Sequence, residues 1–122
     1  MLLTAGILSF ILGLVHSILG EVLIFKSLRK DEIIPSHGGK LLRPRQVRIL
    51  WVSWHLVTLF GWALGVILCS VATLDSINHL DIIMKIITAT MFLGALLVLI
   101  GTKGKHPGWI VLTAISVLSM TP

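Results

Sequence analysis

Four apolar stretches separated by three polar breaks make up most of the chain: about Leu2 to Phe25, Val47 to Ala72, His79 to Gly101 and Pro107 to Met120. Most of them meet the roughly 20 residues that a helix needs to cross hydrocarbon. The fourth has 14 residues and rises only about 21 Å at about 1.5 Å per residue. It is expected to cross with little tilt, with local thinning of the bilayer, or with help from residues beyond this stretch. The pattern predicts an all-α integral membrane protein. The expected architecture is a four-transmembrane-helix antiparallel bundle forming a single domain over residues 1–122, with helices at about 2–25, 47–72, 79–101 and 107–120 and a basic loop at 26–46.

The polar and small residues inside these stretches are not scattered. Steps of three and four from Arg48 pass through Trp51, His55, Thr58, Trp62, Gly65, Cys69 and Ala72, which therefore share one face of a helix, while Ile49, Leu50, Val52, Leu56, Leu59, Phe60 and Leu64 mostly cover the others. In the first helix Gly6, Ser9, Gly13, His16 and Gly20 form a similar strip, where small side chains let another helix approach closely. Before the third helix, Asn78 reads as a cap, with Asp81 in the first turn and Lys85 within reach of it.

Composition strengthens the membrane reading. Of 122 residues 56% are hydrophobic and 12% charged, against about 45–50% and about 25% in ordinary soluble domains, and the mean hydropathy is +1.02. No Lys or Arg precedes the first stretch and no small-residue cleavage site follows it, so it is expected to stay as a helix. The single cysteine, Cys69, excludes an intramolecular disulfide and a Cys-x-x-Cys motif.

Charge sets an expected orientation. Lys26, Arg29, Lys30, Lys40, Arg43, Arg45 and Arg48 stand against Asp31 and Glu32, so the segment from Lys26 to Arg48 carries the chain's whole net charge of +5. Lys103 and Lys105 lie in the third loop, and Asp75 and Asp81 border the second. Short loops rich in Lys and Arg stay on the cytoplasmic side. Loops 26–46 and 102–106 are thus expected in the cytoplasm, both termini outside, and the chain in the inner (plasma) membrane as a multi-pass protein. The basic loop suits contact with anionic lipids of the bilayer. Nucleic acid is not an expected partner, whereas a homo-oligomer or a larger membrane complex fits the glycine faces.

Three ionisable groups fall in the cytoplasmic half of the expected membrane. Measured from Lys26 and Arg48 at about 1.5 Å per residue, Glu21 lies about 7 Å deep, His55 about 10 Å and His16 about 15 Å. Helices one and two are joined by one loop, so Glu21 and His55 are expected to be neighbours, with His16 a layer deeper. Such groups are costly in hydrocarbon and face a partner, the bundle interior or an aqueous cavity. A basic mouth of Arg48, Lys103, Lys105 and His106 is expected above them.

The runs His16-Ser17-Ile18-Leu19-Gly20-Glu21, Arg48-Ile49-Leu50-Trp51-Val52-Ser53-Trp54-His55 and Gly104-Lys105-His106-Pro107-Gly108-Trp109 resemble motifs of a group of small bacterial four-helix inner-membrane proteins without an assigned activity. The resemblance implies a fold and no chemistry.

Four function classes remain open on the residues alone. The leading expectation is a ligand or cofactor site at His16, Glu21 and His55, where two imidazoles could hold haem b or a transition metal. A proton or small-solute transporter would use the same three groups as a titratable chain. An enzyme acting on a lipid-linked anionic substrate would use the basic mouth to hold phosphate and Glu21 with His55 as acid and base. A structural or assembly subunit of a membrane complex would use the glycine faces for packing.

Overall fold

The computed structural model describes residues 1–75 and 79–120. Asn78, read above as a cap, lies outside the described residues. The elements are α1 (Leu2–Leu23), a short 3₁₀ turn (Phe25–Leu28), α2 (Pro44–Thr73), α3 (His79–Gly101) and α4 (Gly108–Leu118). Among the described residues there is no strand, only one isolated bridge between Gly38 and Leu42. The first three helices are long and apolar enough to cross a membrane. With 11 residues, α4 rises only about 16 Å.

The helix ends follow local chemistry. Pro44 occupies the first turn of α2, where its missing N–H is no loss, and Gln46 and Arg43 close the end reciprocally. The Arg43 N–H donates to Gln46 Oε1 (2.8 Å), and the Gln46 N–H donates to the Arg43 carbonyl (2.9 Å). That closure starts the helix three residues before the apolar run. Lys85 Nζ lies 2.6 Å from Asp81 Oδ2 in the first turns of α3. At the other end of α1 the chain leaves the α-helix after Leu23, and Phe25 folds inward until it is 1% exposed.

Burial runs opposite to that of a water-soluble domain. Leu8, Leu12, Leu23, Leu64, Leu80 and Ile100 are each more than half exposed, while Gly6, Gly13, Gly20, Thr58, Gly65, Thr90 and Ser116 are buried. Large aliphatic side chains outside and small or hydroxyl-bearing ones inside is the arrangement that favours close helix contact in lipid.

The α1–α2 contact is built on a glycine at every seventh residue. A side chain at Gly6 would meet Cys69 and the Gly65 carbonyl, one at Gly13 the Trp62 indole, and one at Gly20 the Trp54 indole. As α1 is followed forwards α2 is followed backwards, so the two are antiparallel. Indole N–H groups then bond across to backbone: Trp62 donates to the Phe10 carbonyl (3.1 Å) and Trp54 to the His16 carbonyl (3.0 Å). Ser9 Oγ donates to the Gly61 carbonyl (2.7 Å) in the opposite sense.

Next in order, α3 lies against α2, with Gly101 beside Val52 and Trp51 and Gly94 beside Leu56. Then α4 lies against α3, tied by Ser116 Oγ to the Thr88 carbonyl (3.0 Å) and by the Thr88–Ser119 hydroxyl pair (2.8 Å). The segment between α1 and α2 is compact: the Ser36 and His37 N–H groups both donate to the Leu28 carbonyl, and Pro35 and Ser36 are buried.

Candidate functional site

Where α1 meets the start of α2, the sequence places Ser17 and Glu21 one turn apart on one helix and Trp51, His55 and Thr58 at steps of four and three on the other. The antiparallel packing brings all five together. Glu21 Oε1 accepts from Trp51 Nε1 (2.6 Å) and lies 2.9 Å from His55 Nε2. Glu21 Oε2 lies 2.8 Å from Arg29 Nη2, which enters from the loop. On the far side of the ring, His55 Nδ1 is 3.0 Å from Ser17 Oγ, and Ser17 Oγ is 2.8 Å from Thr58 Oγ1. Thr58 Oγ1 in turn lies 3.4 Å from the Gly13 carbonyl. Thus one polar chain runs from Arg29 through Glu21, His55, Ser17 and Thr58 to the backbone of α1.

Aromatic side chains wall this chain off. Trp51 meets the His55 ring edge-on, with centroids 4.7 Å apart, and the buried Phe25 approaches the same ring at 6.3 Å. The His55 side chain is only 18% exposed, whereas Glu21 and Arg29 keep 28% and 31% at the loop end. The polar chain therefore opens toward the basic loop.

His16 is placed differently. Its ring stacks on Trp54, 4.3 Å between centroids and 6° from parallel, and its Nε2 makes no hydrogen bond within the chain. So the structure joins Glu21 to His55 and gives His16 separate company. Both His55 nitrogens are engaged, and among the described residues no group of three or more His, Cys, Asp or Glu could hold a metal ion. A haem or metal site at His16 and His55 draws no support from this geometry.

The basic residues expected at the mouth also divide. Arg48, Lys103 and Lys105 line one pocket, together with Arg45, Pro44 and Thr102. His106 is turned to α4, where its Nδ1 accepts the Gly108 N–H (3.0 Å). Arg48 reaches Glu32 at 2.8 Å, not Glu21.

Ser17, Arg29, Trp51, Thr58 and Arg45 were not in the expected set. For Ser17, Trp51 and Thr58 the signal was the helical spacing around Glu21 and His55, but Arg29 belongs to a loop whose path no periodicity predicts. Comparison with family models, with curated proteins and with solved structures gives no match. The resemblance to the bacterial four-helix group therefore rests on the quoted motifs alone.

Proposed function

We propose that the chain is an integral membrane protein of four antiparallel spans, with loops 26–46 and 102–106 on the cytoplasmic side, and that Glu21 and His55 form a proton-linked binding site reached from that side. In this reading α4 crosses where the bilayer thins around it. The short Lys- and Arg-rich loops support the orientation.

One observation carries the proton-linked part: the polar chain around His55 can be completed in two ways, one for each protonation state. With His55 neutral, its Nε2–H donates to Glu21 and its Nδ1 accepts from the Ser17 hydroxyl, which itself accepts from Thr58. With His55 protonated, Nδ1–H donates to Ser17, Ser17 donates to Thr58, and Thr58 donates to the Gly13 carbonyl. From His55 through Ser17 to Thr58 every donor and acceptor keeps a partner in either state. The cost that forbids charge changes in most apolar interiors is thereby avoided.

At the open end Glu21 Oε2 is paired with Arg29 Nη2 (2.8 Å), and Arg29 Nε makes no hydrogen bond within the chain, so an unmatched donor lies beside the carboxylate. A small polar ligand or solute that engages this pair changes the charge facing His55. Its binding is then coupled to the proton, by linkage.

The test uses Trp51 as a reporter, because an imidazolium against an indole quenches its emission. Purified protein in lipid nanodiscs is titrated from neutral to acid. Wild type should show a reversible quench that is reduced in His55→Gln and retained in His37→Gln. Identical curves for wild type and His55→Gln, with both proteins folded, would return the cluster to a packing role.

A further inference from the structure

A second polar site lies at the same end of the molecule, where the first turns of α2 meet the turn between α3 and α4. A pocket of about 180 Å³ there is lined by Pro44, Arg45, Arg48, Thr102, Lys103 and Lys105. Two stretches far apart in the sequence thus bring four cations to one small space, and Arg45 fastens them together by donating from Nη2 to the Lys105 carbonyl (3.2 Å). One carboxylate, Glu32, reaches this group, 2.8 Å from Arg48 Nη2. Like charges held this close repel one another.

Two features go beyond a solvated basic patch. Arg48 is 11% exposed at its side chain, and its Nη1 is buried without a hydrogen-bond partner in the chain. A guanidinium N–H taken from water and left unmatched is unfavourable. The second feature is backbone strain at Lys103. The α3 end closes with the Gly104 N–H on the Leu99 carbonyl (2.8 Å) and the Lys103 N–H on the Ile100 carbonyl (3.2 Å). In that paired turn the residue at the Lys103 position is left-handed and is usually glycine. Lys103 holds φ +53 there, a conformation disfavoured for any residue with a Cβ. Glycine would serve the turn better, and what lysine adds is an ammonium in the pocket.

We propose that this pocket binds a phosphoryl group. The guanidinium N–H groups left over from the Lys105 carbonyl and Glu32, Arg48 Nη1 among them, can donate to its oxygens, the two ammonium groups supply point charge, and the dianion relieves the repulsion among the four cations. The space admits a phosphoryl group with room to spare but falls short of the roughly 300–1,000 Å³ of pockets that enclose whole ligands, so the remainder of a larger ligand lies outside. Two sources present that chemistry at a membrane surface, a lipid headgroup and free phosphate. The pocket shares no side chain with the Glu21 and His55 chain, so the proposal stands independently of the proton-linked site.

The experiment measures thermal stability of the full chain in phosphatidylcholine nanodiscs in two arms. One adds inorganic phosphate against chloride at matched ionic strength, and the other replaces part of the phosphatidylcholine with phosphatidic acid. Wild type should be stabilised in at least one arm. A response to inorganic phosphate assigns the pocket to free phosphate, and a response to phosphatidic acid alone assigns it to a headgroup. Lys103→Gly should be more stable than wild type without added anion, because its turn is relaxed, yet bind the anion about tenfold more weakly. Arg45→Gln should weaken the response by a similar factor. No stabilisation of wild type in either arm, or responses in Lys103→Gly and Arg45→Gln equal to that of wild type, would overturn the proposal.

Discussion

The Trp54 indole occupies the space that any side chain at Gly20 would need, and its N–H reaches the His16 carbonyl one turn earlier on α1. Gly20→Ala must therefore push an indole off a helix it is bonded to. The expected cost is about 1–3 kcal/mol, the range for overpacking a tight contact. At Gly61, in the middle of α2, an added Cβ meets nothing within 4 Å, so Gly61→Ala should stabilise by about 0.5–1 kcal/mol, the gain in helix propensity alone. Unfolding of both variants in the same detergent separates contact from propensity.

Much of the α1–α2 interface was legible in the spacing. Trp51, His55, Thr58, Trp62, Gly65 and Cys69 fall at steps of three and four, and each meets α1 at Glu21, Ser17, Gly13, Phe10 or Gly6. Period and side-chain size are properties a sequence displays openly. Trp54, three residues after Trp51 and four before Thr58, shares that face too, and its indole fills the Gly20 gap. Harder to read was Arg29. Its place beside Glu21 depends on Phe25 turning inward and on the compact path to Ser36, tertiary events that no local pattern encodes. His106 looked like one more cation of the mouth, but its ring caps α4 through the Gly108 N–H.

Orientation is tested by accessibility. Lys40 is exposed in the basic loop and Asp75 is exposed after α2. In a Cys69→Ala background, cysteine at position 40 should resist a membrane-impermeant thiol reagent in intact cells, and cysteine at position 75 should react. The reverse labelling would invert the topology and put the open end of the Glu21 and His55 chain outside.

Acid should weaken the loop through Glu32. A hydrogen bond from Ser36, then the charges of Lys103, Arg48 and His37, hold its carboxyl below the ordinary value, against an opposing effect of desolvation. A carboxylate whose folded pKa is depressed contributes stability that is fully present above its unfolded value and is lost as pH falls through the folded one. Melting temperatures followed down through the carboxylate range should therefore fall more steeply for wild type than for Glu32→Gln. Parallel curves would mean that Glu32 is no better held in the fold than in the unfolded chain.

The two-state polar chain makes the most direct demand on experiment, because protonating His55 must reverse bonds as far away as the Gly13 carbonyl. Nuclear magnetic resonance of protein in nanodiscs, labelled at the histidine nitrogens and at the Gly13 carbonyl carbon, follows both ends in one titration. On acidification His55 Nδ1 should gain a proton, and the Gly13 carbonyl shift should move with the same midpoint as Thr58 turns its hydroxyl toward it. Replacing Thr58 by Val should remove the Gly13 response. A His55 ring that keeps one protonation state wherever the protein stays folded, or one that titrates while Gly13 stays still, would contradict the proton-linked site.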